Sequence, residues 1–109
     1  MRTLKFIVNG QNLIQDPSCD FTGLFPSEKQ ELVAEFSFSD EWESGIKVVA
    51  FYSVLGKEYP PQVLNEENHC VIPREALIRP VFRMQILGEL GGTIIQTNIL
   101  SIYQKGGKG

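Results

Sequence analysis

Histidine and tryptophan each occur once among the 109 residues, cysteine twice, and neither sign of charge dominates, with ten Lys and Arg against thirteen Asp and Glu. Each scarcity excludes a class of function. With His69 the sole imidazole, any Ser–His–Asp or Cys–His site must be built on it. Its neighbour Cys70 cannot help, because adjacent strand residues point to opposite faces. A structural zinc site draws on about four N or S ligands, and the chain offers three, so neither metal nor cofactor is expected. Cys19 and Cys70 lie outside any CxxC or Cys/His ladder and read as small apolar groups kept reduced; their spacing leaves open whether they pair. No apolar run approaches the ~20 residues of a membrane-spanning helix. The start Met1-Arg2-Thr3-Leu4-Lys5-Phe6 alternates where a signal peptide is uniformly apolar. Synthesis in a cytoplasm, with no membrane partner, is the expectation. The formal charge is −3, distributed as −4 up to Leu55 and +1 after it. Neither part has the basic patch that nucleic-acid phosphates require, so no nucleic-acid partner is expected.

What the chain does contain is alternation. Leu4, Phe6 and Val8 share one face of a strand, and Asn9-Gly10 reads as the centre of a type I′ turn into a second strand over 11–15. Residues 18–29 read as a surface connection tied down by Phe21, Leu24 and Phe25. Over 30–38, Leu32, Ala34, Phe36 and Phe38 share a face of a half-buried strand. Ser39 to Gly45 turns the chain, and 46–54, apolar on both faces, reads as a central strand. Pro60 and Pro61 cannot donate to a ladder and demote 58–64 to an edge or a bulge. A polar turn at 65–68 leads to a short strand at 69–72. Pro73 at the first helical position then starts a single helical turn near 73–78. The last third reads as strand 81–87, a turn at 88–92, strand 93–96 and a continuation over 98–104. Short strands at this spacing predict an all-β antiparallel sandwich, Ig-like or jelly-roll-like, of about seven or eight strands. It would form one domain over 1–104, followed by a flexible Gly/Lys tail over 105–109.

The remaining signals are weak as chemistry. Asp40, Glu41 and Glu43 do not match a calcium loop and read as a solvated turn. Gly88 to Gly92 lacks the Lys-Ser/Thr of a phosphate loop and joins strands. No catalytic residues are expected. Trp42, alone in an acidic turn, is either the anchor of its loop or an exposed partner contact. Tyr59 and Tyr103 are candidates for the same two roles, and with Tyr52 they read as scattered core-edge residues.

The segment Phe36-Ser37-Phe38-Ser39-Asp40-Glu41-Trp42-Glu43-Ser44-Gly45-Ile46-Lys47-Val48-Val49-Ala50-Phe51 resembles a recurring element in virion proteins of tailed phages of Gram-positive bacteria. Cys70-Val71-Ile72-Pro73-Arg74-Glu75-Ala76-Leu77 and Phe82 to Ile102, with its Gly-x-x-Gly-Gly turn and Thr97-Asn98, fit the same family. The resemblance implies a β-sandwich attachment module of baseplate, tail-fibre or head-fibre proteins, located in the virion. Its partners would be other phage structural proteins on a capsid or tail component, with self-association into a homo-oligomer also open. Edge strands at 58–64 and 99–103 would extend a neighbour's sheet. The alternative is a small acidic phage-encoded inhibitor that binds a host defence protein through its acidic first half.

Overall fold

The computed structural model describes residues 1–27, 29–43 and 45–104; the tail expected at 105–109 lies outside them. Two sheets face each other across one core. The first contains β1 (Arg2–Asn9), β2 (Asn12–Gln15), β3 (Leu32–Phe38) and β6 (His69–Val71) in the order β2-β1-β3-β6. The second contains β4 (Lys47–Tyr52), β5 (Glu58–Val63), β7 (Val81–Leu90), β8 (Thr93–Gln96) and β9 (Leu100–Tyr103). Its order is β5-β4-β7-β8, and β9 also lies on β7. The one helix among the described residues is α1 (Arg74–Leu77), and a 3-10 turn spans Asp40–Trp42.

The period-two pattern causes this layering. In β1, Leu4, Phe6 and Val8 are buried, and in β3 so are Leu32, Ala34 and Phe36. Their register sets Phe6 opposite Phe36, with the rings stacked at 5.2 Å. From the second sheet Val49, Phe51, Phe82, Met84, Ile86 and Ile102 join the same core, which also takes in Leu24 and Trp42. Burying such side chains contributes roughly 1.5–3 kcal/mol each.

The all-β sandwich expected from the sequence is the architecture found, and several details differ. The described residues hold nine strands. The pairing of β1 with β3 is parallel. After the β1–β2 hairpin the chain crosses over 16–31 and returns on the other side of β1. Arg2 secures that crossing by donating to the carbonyls of Asp20 and Thr22 at 2.8 and 2.7 Å. Leu24 is buried and Phe21 packs edge-on against Phe6, whereas Phe25, expected to help tie the loop down, is exposed. The first hairpin pairs Asn9 with Asn12, so its central residues are Gly10 and Gln11. Only Gly10 has positive φ, at 63°, which is the requirement of a type II′ turn rather than I′. Pro73 is extended (ψ 146°) and precedes the helix as its cap. Strand β7 does not stop at Leu87 but runs through Gly88 to Leu90.

The edges are closed by side chains as well as by backbone. On one side β7 pairs with β4; on the other it pairs first with β9 and then with β8. Thr97 fills the gap between them, with its Oγ1 accepting from the Ile86 N–H at 3.0 Å. Asn98 then bridges the sheets. Its Oδ1 accepts from the Leu13 N–H at 2.7 Å and its Nδ2 donates to the Leu13 carbonyl at 3.2 Å, imitating a strand neighbour for β2. On the far side β5 is an edge strand whose register shifts opposite Val49 and Phe51, as Pro60 and Pro61 dictate.

Candidate docking surfaces

The side chains singled out in the sequence do not converge. Trp42 is fully buried. Its Nε1–H donates to the Gly10 carbonyl at 2.7 Å, and its ring packs 5.4 Å from that of Phe38. On the other face it lies against Gly88, where a Cβ would stand 2.8 Å from Cζ3. A side chain without exposed surface meets no partner; Trp42 holds the acidic turn to the core. Tyr59 is buried opposite Phe51. Tyr103 is 57% exposed and lies opposite Val81 on β9. Tyr52, opposite Arg83, lies on the other flank of β7.

His69 and Glu35 face each other across β6 and β3, with Nε2 3.2 Å from Oε1 and both side chains one-third exposed. Cys19 sits beyond β1, where its Sγ accepts from the Lys5 N–H at 3.4 Å. Three strand spacings of ~4.8 Å separate that lane from β6, so Cys19 and His69 form no nucleophilic pair. Cys70 is buried and unpaired. Desolvation pushes its thiol up to about 12, leaving it protonated and inert at neutral pH. No cluster of three or more His, Cys, Asp or Glu able to hold a metal occurs among the described residues. No helix among them is long and apolar enough to cross a membrane.

Two surface features stand out instead, at opposite ends of the second sheet. The first is an apolar patch on its outer face. Val63, Val48 and Leu87 align across β5, β4 and β7. Ile46 and Ile94 flank them, with Ile46, Val63 and Ile94 exposed by 66%, 65% and 73%. A shallow hollow of about 370 Å³ lies among Ile46, Val48, Leu87, Glu89 and Ile94. It shares Ile46 with a hollow of about 330 Å³ that reaches Val63, Glu43 and Glu66. Carboxylates therefore rim the patch. The same end also carries Asp40, Glu41 and Glu67, all exposed. The Glu41 carboxyl lies below its ordinary range because its own backbone N–H and the Ser39 hydroxyl stabilise the anion. The cation at this end, Lys47, stands over the Phe38 ring at 5.2 Å.

The second feature is a groove of about 400 Å³ between the β4–β5 turn and the entry to β7, lined by Val54, Leu55, Tyr59 and Val81 together with Lys57 and Arg79, and by no carboxylate. Both walls are tied by hydrogen bonds. In the turn, Ser53 Oγ accepts from the N–H groups of Leu55 and Lys57 at 3.2 and 3.0 Å, and the Ser53 N–H donates to the Lys57 carbonyl at 2.8 Å. That stapling holds Leu55 out in solvent, 94% exposed. Opposite, the buried Gln104 donates through Nε2 to the Leu77 and Arg79 carbonyls at 3.0 and 2.9 Å. Its Oε1 accepts from Gln30 at 2.9 Å, and its N–H donates to the Pro80 carbonyl at 2.7 Å.

Sequence reasoning missed both surfaces, although one signal was present. The strand expected to be central is so, with β4 between β5 and β7, but in a two-layer sandwich one face of a central strand still meets solvent, so Val48 with Ile46 marks an apolar exterior. Comparison with protein-family models, with curated proteins and with solved structures finds no match to this chain.

Proposed function

We propose that this protein is a docking module that attaches to another protein through the outer face of its five-stranded sheet and works by binding rather than catalysis. The observation that carries this reading is the cluster of Ile46, Val63 and Ile94, each about two-thirds or more exposed, over hollows rimmed by Glu43, Glu66 and Glu89. Contiguous apolar surface of this kind, rimmed by polar groups, marks interaction sites on folded domains. The resemblance of the 36–51, 70–77 and 82–102 segments to tailed-phage virion proteins makes a capsid or tail component the partner of this reading, and the virion its place.

The test is incorporation into particles. Wild-type protein should co-purify with virions, while Ile94→Asp, which sets a charge in the patch without touching the core, should remain in the lysate with unchanged circular dichroism. Loss of a central apolar contact weakens binding by roughly tenfold or more. Absence of the wild type from particles, or equal incorporation of the variant, refutes the reading.

The acidic end favours one second reading, an inhibitor seated on a basic surface of a host defence protein. Retention of a host enzyme from lysate by the wild type, lost in a Glu43→Lys/Glu66→Lys variant, would favour it over the virion module.

A further inference from the structure

The patch and the groove are complementary to each other. One is apolar with Glu43, Glu66 and Glu89 at its rim against one cation, Lys47; the other is apolar with Lys57 and Arg79 and no carboxylate. The only ion pair among the described residues joins His69 to Glu35, so neither Lys57 nor Arg79 is neutralised within the chain by a described carboxylate. Val81 and Glu89, at the two ends of β7, place the features about 26 Å apart at ~3.3 Å per residue. A chain cannot fill its own groove with its own patch. We infer that the groove receives the acid-rimmed patch of a second copy, so that copies associate patch to groove. The inference rests on reading the patch as a docking surface and names its occupant.

Charge sets the pairing. Patch on patch or groove on groove would set carboxylate against carboxylate or cation against cation; patch on groove pairs opposite signs, once per contact in an open array or twice in a reciprocal two-fold pair. Both features are shallow hollows of similar size, about 330 to 400 Å³, and their complementarity is largely one of charge, so association is weak, reversible and salt-sensitive.

Sedimentation velocity of the full chain tests this. From about 10 µM to about 1 mM the weight-average mass should rise at low salt and fall back in about 0.5 M salt. Lys57→Glu/Arg79→Glu should weaken self-association at least tenfold, and Glu43→Lys/Glu89→Lys should do the same. Mixing the two variants should restore it, because each then offers the other a complementary surface, and a merely misfolded variant would not be rescued. A wild type that stays monomeric throughout, or association that neither reversal changes, overturns the inference. Particle incorporation reports separately on the patch: a monomer that still enters particles through Ile94 defeats the patch-to-groove contact and leaves the docking reading standing.

Discussion

Gly88→Ala isolates the contact that holds the acidic turn to the sheet. Gly88 does not have positive φ, so alanine meets no backbone strain there, and the smaller conformational freedom of the unfolded chain favours it by roughly 0.4–1 kcal/mol. Against this stands overlap with the Trp42 ring, whose Cζ3 and Cε3 would lie 2.8 and 3.2 Å from the new Cβ. The ring cannot retreat, because its Nε1–H is bonded to the Gly10 carbonyl and Phe38 packs against it. Overpacking of a rigid site costs about 1–3 kcal/mol. The net expectation is destabilisation of up to about 2.6 kcal/mol, or several degrees in Tm for a chain of this size. In a Trp42→Phe background the overlapping atoms are gone and only the chain-entropy term remains, so the same substitution should become neutral or slightly stabilising. Urea denaturation followed by far-UV circular dichroism on the four members of the cycle measures the coupling. An equal effect of Gly88→Ala in both backgrounds would refute the contact as the cause.

Three further outcomes follow from the geometry. Gln104→Met keeps the volume but strips partners from the Leu77 and Arg79 carbonyls and from Gln30; chemical denaturation should show a loss of about 2–4 kcal/mol. In native protein at neutral pH, iodoacetamide followed by mass spectrometry should modify Cys19 and spare Cys70, whose burial raises its thiol to about 12; equal labelling would contradict the core placement of β6. The Asp20 carboxyl lies below its ordinary range, first through the Thr22 hydroxyl and then through the Thr22 N–H. Since its folded pKa is depressed, its stabilising contribution is complete above the unfolded value near ~4 and is lost as pH falls through the folded one. The stability gap between wild type and Asp20→Ala should therefore narrow on acidification, as pH-dependent denaturation can check.

Local chemistry was legible in the sequence wherever a single residue decides the backbone. Pro60 and Pro61 mark β5 as an edge with a shifted register, and alternation alone assigns the buried face of β1 and β3. Legibility failed where a residue answers to something distant. The turn expected at 88–92 begins too early, because Gly88 sits within β7, where it makes room for an indole 46 positions earlier. The parallel β1–β3 pair depends on which side of β1 the chain returns to, and no local pattern encodes that. Lys57 and Arg79 come together with Val54 and Leu55 only through the approach of two connections that are remote in sequence.

The same division bears on what the phage-like segments can identify. Phe36, Trp42, Phe51, Cys70, Ile72, Ala76, Leu77 and Phe82 are all core residues, and Gly45 has positive φ, with the Glu89 carbonyl only 2.1 Å from any Cβ built there. Every one of these positions is constrained by packing or by backbone, so another sandwich of this build would repeat them whatever it bound. Ile46, Val63, Ile94, Lys57 and Leu55 carry no such constraint: the fold is indifferent to a Ser or a Glu at sites this exposed. Large apolar side chains held in solvent at those positions, one of them on a turn stapled by its own hydrogen bonds, are unexplained by stability. If the docking reading proposed above holds, its specificity lies in these few outward residues, and substitutions there should move binding while leaving the unfolding transition in place.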